Sequence, residues 1–352
     1  MLYRECGNFK DTYAKDMAIF PIPLDRWGLA VMLVLAFIVI PWVSSDYWLS
    51  SIMLPFYCFS LAALGLNFLT GYAGQVSIGH AAFMAVGAYS SLILYGRYEI
   101  PLLLSILGGG IISAAVGSIF GIPSLRIKGF YLAVSTLAAQ FIIEWVLTHW
   151  HWVSGGVFGT IQVPDLQIFG AHLDTPVKRY YLALCVVVFL VIIGKNLVRG
   201  HLGRNWQAIR DMDVAAEIIG VSLFRNKLAA FAVSSFYAGV AGALITMTYY
   251  GAANIEEFNL FLSFHLLGMI IIGGMGTVLG SFLGAGFMVL MPIFINQTLL
   301  VFMETVPSDL RANSEAIIFG GLIVFFLIVE PYGMARLWHT IKDKMRLWPF
   351  PY

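Results

Sequence analysis

Long apolar runs follow one another along most of this chain and leave little choice of fold. A helix that crosses the roughly 30 Å hydrocarbon core of a membrane needs about 20 apolar residues. Ten segments approach that length, namely 27–43, 47–69, 80–96, 101–122, 130–150, 180–198, 228–250, 259–274, 279–302 and 314–330. Charged residues make up only 11% of the chain, against about 25% in soluble domains. The sequence therefore predicts an all-α polytopic membrane protein with about ten transmembrane helices.

The distribution of basic residues predicts how these helices are oriented, because Lys and Arg concentrate in the cytoplasmic loops of membrane proteins. If the N-terminus is cytoplasmic, 16 of the 20 Lys and Arg residues fall in segments predicted to lie inside. Both termini are then cytoplasmic. The chain divides into an N-terminal tail, 1–26, a transmembrane domain, 27–332, and a C-terminal tail, 333–352.

A polar interruption between two apolar runs, residues 203–220, has the periodicity of an amphipathic helix. Its apolar side holds Trp206, Ile209, Met212, Ala216 and Ile219, and its polar side holds Gln207, Arg210, Asp213 and Glu217. The pattern predicts one short helix at the cytoplasmic membrane surface, with its charged side toward water or a partner. Gly220 is expected to end this helix in a left-handed conformation.

Small residues recur every four positions in two of the apolar runs. The two sets are Gly276, Gly280 and Gly284, and Ser113, Gly117 and Gly121. Residues at this spacing share one face of a helix, where small side chains let a neighbouring backbone approach closely. We interpret both stripes as helix-packing surfaces.

Two glycine-rich segments interrupt the apolar runs in a similar way. They read GYAGQVSIGH, residues 71–80, and GGMGTVLG, residues 273–280. Each has glycines three residues apart, followed by Val at the next position but one. The two segments are therefore candidate counterparts in an internal repeat.

The first glycine-rich segment brings Gln75, Ser77 and His80 together, with Asn67 just before it. Irregular backbone at membrane depth is tolerated only where protein buries it or a water-filled cavity borders it. One interpretation is a broken helix whose four polar side chains line a solute pathway. The other is a tight cytoplasmic turn in which these groups cap two helices.

Ionisable residues inside the predicted helices are few, and Glu144 and His265 are the deepest. An intramembrane charge is a candidate for a solute pathway, although solvation of Glu144 and packing of His265 explain them equally well. The sequence has no paired carboxylates, metal-spaced histidines, nucleophile elbow or G-x-x-x-x-G-K-[ST] phosphate loop. We expect no catalytic residue, metal site or cofactor in this chain. Uphill transport would then require another polypeptide to bind the nucleotide.

Four separated stretches carry a family resemblance: LGLNFLTGYAGQVSIGHAAFMAVGAY, LRIKGFYLAVSTLAAQFIIEWV, GRNWQAIRDMDVAAEIIGV and IIGGMGTVLGSFLGAG. In this order they resemble the permease subunits of branched-chain amino acid ABC importers, in particular the LivM-like type. The similarity extends from Tyr47 to Tyr332. Permeases of this family have a cytoplasmic coupling helix that commonly carries E-A-A-x-x-x-G. Here the pattern maps onto Ala215, Ala216 and Gly220, with Val214 in place of the glutamate.

The resemblance implies a five-part assembly in the bacterial inner membrane. Its partners would be a second permease subunit of the LivH-like type, two ATPase subunits that bind ATP and Mg, and an extracytoplasmic solute-binding protein. Membrane lipid would surround the chain, and no nucleic acid is expected. The residues implied in coupling to the ATPases are Arg204, Arg210, Asp213, Ala215, Ala216, Glu217 and Gly220.

The resemblance also implies an activity, namely transport of branched-chain or other hydrophobic amino acids by ATP-driven alternating access. Similar permeases serve urea, short amides and aromatic or other organic acids, which stay open as alternatives. A hypothesis from a different class is a passive channel for a small solute, in which the amphipathic helix is a strut at the membrane surface. A channel would conduct alone, whereas a permease subunit would need its partners and ATP.

Overall fold

Helices dominate the computed structural model, which describes residues 11–12, 23–124, 130–154, 160–168, 170–302, 308–330 and 332–347. The helices of the first half are α1 Pro23–Val34, α2 Ile40–Val43, α3 Leu54–Asn67, α4 His80–Gly96, α5 Leu102–Ser124, α6 Phe130–His149 and α7 His151–Ser154. Those of the second half are α8 Pro176–Arg199, α9 His201–Asp211, α10 Asp213–Ile218, α11 Leu223–Ile245, α12 Leu260–Gly273, α13 Val278–Phe302, α14 Ser308–Val329 and α15 Gly333–Leu347.

Short irregular elements extend or connect these helices. Wider, π-helical turns occupy Leu35–Val39, Trp48–Met53, Phe68–Tyr72 and Thr246–Tyr250, and a 3-10 turn occupies Ile255–Phe258. Four two-residue strands pair antiparallel: β1 Ile161–Gln162 with β4 Ala252–Ala253, and β2 Gln167–Ile168 with β3 Ala171–His172. Most of the predicted N-terminal tail, and the basic loop with Arg126 and Lys128, lie outside the described residues.

Helix α11 is the centre of the bundle, because α3, α4 and α5 all pack on it. Small residues bring these backbones together: a methyl group at Gly87 of α4 would clash with the backbone of Gly239 in α11. Ser113 of α5 donates a hydrogen bond to the carbonyl oxygen of Phe83 over 2.8 Å. Gly117 lies against Ser235 of α11, so the predicted Ser113 stripe is a packing face. Helices α12 and α13 join this bundle through α3.

Seven helical stretches of the described chain are long and apolar enough to cross a membrane. They are Arg26–Val43, Trp48–Tyr72, Leu102–Pro123, Tyr131–His149, Pro176–Arg199, Leu223–Tyr250 and Val278–Leu299. Ala316–Val329 and Gly333–Lys342, which are bent by 54° to each other, make an eighth if they form one span. Three of the ten predicted spans are not among the seven, since α4 has 17 residues, α12 has 14, and 314–330 passes only together with α15. Helix α4 is packed inside the bundle, where a helix need not match the thickness of the lipid. Helix α12 is buried on one side only, since Phe261 and Phe264 are exposed.

The chain segments predicted to share one side of the membrane lie together. On the predicted inside, Gly274 lies against the Tyr332 carbonyl, at the start of α15. On the predicted outside, β1 pairs with β4, and the Tyr95 hydroxyl donates to the Asp165 carbonyl over 2.8 Å. The predicted C-terminal tail is helical as far as it is described, and Ala335 of α15 is buried against the bundle.

Only two of the three glycines in the second predicted stripe, Gly276, Gly280 and Gly284, lie on a helix-packing face. Gly280 and Gly284 of α13 face α12, where a methyl group at Gly284 would clash with the Met269 carbonyl. Gly276 is not part of this face, because α13 begins at Val278. Gly276 instead has a φ of +76°, a conformation that requires glycine in the turn before the helix.

We predict that Gly284→Leu destabilises the protein. The larger side chain would force α12 away from α13, and overpacking of this kind costs about 1–3 kcal/mol. Thermal unfolding in detergent should show a lower midpoint than wild type. Gly320→Leu is the matched control, since nothing lies within 4 Å of a methyl group at that position. Equal midpoints for the two variants would contradict the packing role.

Candidate functional site

The predicted amphipathic helix is two helices rather than one. Helix α9 ends at Asp211 and α10 begins at Asp213. Between them Met212 has an extended backbone, with φ −157° and ψ 99°. The break rotates the second half of the segment, so Met212 and Ile219 are exposed instead of continuing the buried face of Trp206 and Ile209. A uniform helical periodicity could not reveal this break.

Helix α9 is anchored in the membrane domain. The Trp206 side chain is fully buried, its indole nitrogen donates to the Asn226 carbonyl over 2.9 Å, and its ring centroid lies 6.4 Å from that of Phe68. Asn205 donates a second hydrogen bond to the Asn226 side chain over 3.1 Å. Gly203 lies so close to the Val198 backbone that any larger residue would clash. Helix α9 therefore moves with the start of α11 and the end of α8.

Helix α10 projects from the domain instead. The Ile218 side chain is 81% exposed and that of Ile219 is 75% exposed, and Met212 and Val214 are exposed beside them. Of the predicted coupling residues in this helix, only Ala216 is buried. Asp213 is half-buried, while Ala215, Glu217 and Gly220 are exposed. Gly220 has a φ of +91°, which confirms the left-handed ending.

Arg210 and Arg204, both predicted in coupling, make different contacts in α9. Arg210 extends toward the two glycine-rich segments, where its Nη1 donates to the Gly71 carbonyl over 2.8 Å. Its Nε also pairs with the Asp211 carboxylate at 3.1 Å. Arg204 turns back and donates to the Arg199 carbonyl over 3.1 Å. Arg210 therefore joins helix α9 to the two glycine-rich segments of the transmembrane domain.

Asn67 holds the two glycine-rich segments together. Its Oδ1 accepts a hydrogen bond from the Gly276 amide over 2.8 Å. Its Nδ2 donates to the Thr277 carbonyl over 2.8 Å and to the Ser281 hydroxyl over 3.0 Å. The side chain is fully buried. With both ends of its amide bonded to protein, Asn67 is a structural crosslink rather than a free lining group.

The first glycine-rich segment begins with a tight turn that ends the helix, where Gly74 has a φ of +68° and the Gln75 amide donates to the Leu69 carbonyl over 2.9 Å, but the segment continues beyond this turn. The helix before it continues to Tyr72, and regular structure resumes at His80. His80 Nε2 donates to the Ala62 carbonyl over 3.2 Å. Ala62 precedes Tyr72 by ten residues, which corresponds to about 15 Å along a helix. Residues 73–79 therefore run back alongside α3 into the bundle, as in the broken-helix interpretation.

Three side chains of this re-entrant segment keep unsatisfied polar atoms in the interior. Gln75 Oε1, Ser77 Oγ and His80 Nδ1 are buried and have no hydrogen-bond partner among the described residues. Burying an unpaired polar atom costs about 1–3 kcal/mol. Three such atoms lie within six residues. This clustering is expected where water or a polar solute reaches the segment in another conformation of the protein.

Polar residues that the sequence analysis did not single out hold the start of α4. Thr136 Oγ1 accepts from the Ile78 amide over 3.0 Å, and Ser263 Oγ accepts from the Ala81 amide over 2.9 Å. Gln140 accepts from the Ala82 amide over 2.8 Å and donates to the Phe258 carbonyl over 2.8 Å. These caps satisfy the first amides of a buried helix. In the sequence, the feature that could have identified each of these three residues is a single polar side chain within an apolar run.

The other two pathway candidates have different surroundings. His265 packs between two aromatic rings, with centroid distances of 4.3 Å to Phe261 and 4.4 Å to Phe319. This geometry fits the packing interpretation. Glu144 is half-buried on α6, one turn after Gln140. Among the residues that the structure describes, no three His, Cys, Asp or Glu side chains group as metal ligands.

The sequence was compared with families of known proteins and with solved structures. Residues 48–327 match the family described as "Branched-chain amino acid transport system / permease component". No solved structure matches the chain.

Several curated proteins are similar to the chain. It is 30% identical over 300 residues to the high-affinity branched-chain amino acid transport system permease protein LivM of Salmonella typhimurium, covering 79% of this chain and 67% of the relative. LivM of Escherichia coli is 29% identical over the same shares. The ribose import permease protein RbsC of Haemophilus influenzae is 23% identical, over 64% of this chain and 70% of the relative. With the glycine-rich segments and helices α9 and α10 inside the matched range, the chain belongs to the ABC transporter permease family of branched-chain amino acid transport components.

Proposed function

We propose that this chain is a permease subunit of an ABC importer in the bacterial inner membrane, coupled to ATP hydrolysis by separate subunits. The observation that carries the proposal is the exposed apolar helix α10, attached through α9 to the two glycine-rich segments. We further propose ten membrane crossings with both termini in the cytoplasm. The alternating grouping of inside and outside segments supports this number, with α4 and α12 as short crossings.

Helix α10 is the proposed docking surface for an ATPase subunit. It is short, it lies on the side predicted to be cytoplasmic, and it exposes Met212, Val214, Ile218 and Ile219. Contiguous apolar surface in water marks an interaction site. The acidic Asp213 and Glu217 lie at its sides. The ATPases would bind ATP and Mg, and this chain would contribute no catalytic group and no cofactor site.

The remaining partners follow from the family. A second permease subunit, of the LivH-like type, would complete the translocation pathway. An extracytoplasmic solute-binding protein would deliver the solute on the other side. The chain would then transport by alternating access, in which each partner binds the inward- and outward-open states with different affinity.

The re-entrant segment 73–80 is the proposed wall of the solute pathway. Its unpaired Gln75, Ser77 and His80 atoms supply hydrogen-bonding groups, as expected where irregular backbone borders a pathway. Gln140 lies where this segment meets the Ile255–Phe258 turn, which comes from the predicted outside. The proposed pathway does not include Asn67, Glu144 or His265, because none of their described contacts supports a place in it.

Branched-chain or other hydrophobic amino acids are the proposed solutes. Identity to the LivM proteins is 29–30% over 79% of the chain, whereas identity to the ribose permease is 23% over 64%. A reconstituted complex tests the proposal: uptake should require the ATPases, ATP and a loaded binding protein. Uptake by this chain alone would indicate a passive channel instead.

We predict that Ile218→Glu releases the ATPase subunits. The substitution places a charge in an apolar contact and removes burial worth about 1.5–3 kcal/mol, which is about tenfold or more in affinity. Co-purification of the ATPases with the tagged chain measures this loss. Ile218→Leu preserves the apolar surface and should retain the ATPases. Wild-type retention by Ile218→Glu would exclude α10 as the docking surface.

We also predict that Gln75→Ala and Asn67→Ala have opposite effects. Gln75→Ala should lower uptake by about tenfold, equivalent to about 1.4 kcal/mol, with little change in thermal stability. Asn67→Ala should destabilise the protein by about 1–3 kcal/mol, because buried backbone groups of Gly276 and Thr277 lose their partner. Uptake by proteoliposomes and thermal unfolding measure the two effects. Normal uptake by Gln75→Ala would remove this residue from the pathway.

A further inference from the structure

Arg210 lies between the two glycine-rich segments and touches both. A methyl group at Gly74 would lie 2.9 Å from Cγ of Arg210, and one at Gly276 would lie 3.1 Å from its Nη1. Both glycines have left-handed backbones, with φ of +68° and +76°. They are also the matching positions of the suspected internal repeat. The same arginine therefore packs on equivalent turns of both halves.

The Arg210 side chain, which is 41% exposed, makes two polar contacts in this position. Nη1 donates to the Gly71 carbonyl, which lies in the last helical turn before the re-entrant segment. A cation is favoured at the end of a helix, where carbonyls lack intrahelical partners. Nε pairs with Asp211 on the same helix. The arginine thus fills the space between α9 and the two turns.

The two glycine-rich segments that Arg210 contacts are bonded to each other. Asn67 connects the end of α3 to Gly276 and Thr277, so the two glycine-rich segments move together. Residues 74–79 follow directly and carry the unpaired Gln75 and Ser77 atoms. A displacement of α9 would therefore reach the proposed pathway through Arg210, beside the Trp206 contact to Phe68 at the end of α3.

We infer that Arg210 is a positioning residue that transmits movement of the ATPase-docking segment to both glycine-rich segments, and is not itself a docking residue. The inference rests on the proposed function and refines it. Docking would belong to α10, whose apolar side chains point away from the domain. Transmission belongs to Arg210, because its side chain runs from α9 toward Gly71, Gly74 and Gly276.

The test compares Arg210→Met with Arg225→Met in the complete complex. Arg225 is an exposed arginine at the start of α11, in the same predicted cytoplasmic region. The readouts are retention of the ATPases, solute-stimulated ATP hydrolysis with loaded binding protein, and ATP-driven uptake. Arg210→Met should retain the ATPases but lose stimulation and uptake by about fivefold or more, the lower end of typical coupling between sites. Arg225→Met should match wild type.

Arg210→Lys provides the conservative rescue. Its ammonium can still donate to the Gly71 carbonyl but cannot also pair through Nε, so stimulation should recover in part. Release of the ATPases by Arg210→Met would assign this residue to docking and overturn the inference. Failure of Arg210→Met to assemble, or full stimulation with it, would overturn the inference as well. If the wild-type chain itself retains no ATPase, the proposed function fails instead, which is a separate outcome.

Discussion

The buried amide of Asn67 is the contact on which the arrangement of the two glycine-rich segments depends. It bonds the turn before α13 to the end of α3 through three hydrogen bonds, and no water is needed to complete them. Because the two segments are more than two hundred residues apart in the chain, this contact joins the two halves of the molecule. The re-entrant segment, the Arg210 contact and the packing of α13 all start from the geometry that it fixes.

The break at Met212 divides the segment 203–220 into an anchored helix and an exposed one. Before the break, Trp206 buries α9 against Phe68 and Asn226, so this helix belongs mechanically to the membrane domain. After the break, α10 exposes apolar side chains that a partner would cover. Because α9 is anchored, a displacement of the docking surface on α10 would be passed on to the membrane domain. A helix without contacts to that domain would move independently of it. The proposed coupling rests on this arrangement.

Sequence reasoning located the elements better than it assigned their side chains. Apolar length predicts the long helices, and the predicted span 80–96 has the bounds of α4, although α4 and α12 are too short to be recognised as membrane-crossing helices by length alone. Asn67 and Gln75 looked alike in the sequence, yet one is fully bonded and the other keeps an unpaired oxygen. Arg210 was grouped with the outward charges because helical periodicity assigns a face but not the contacts made there. The contacts of these side chains are made with segments distant in the chain, and local sequence patterns do not show them.

The central claim is that the docking helix and the re-entrant segment move as one unit. Spin labels at Ile218→Cys, Val76→Cys and Tyr98→Cys, in a chain without its native cysteines, test it by pairwise distances in the complex with and without ATP. All three native side chains are exposed, and Tyr98 lies on the predicted outside. We predict that the 218–76 distance stays constant while the 76–98 distance changes. A changed 218–76 distance with a constant 76–98 distance would contradict the account.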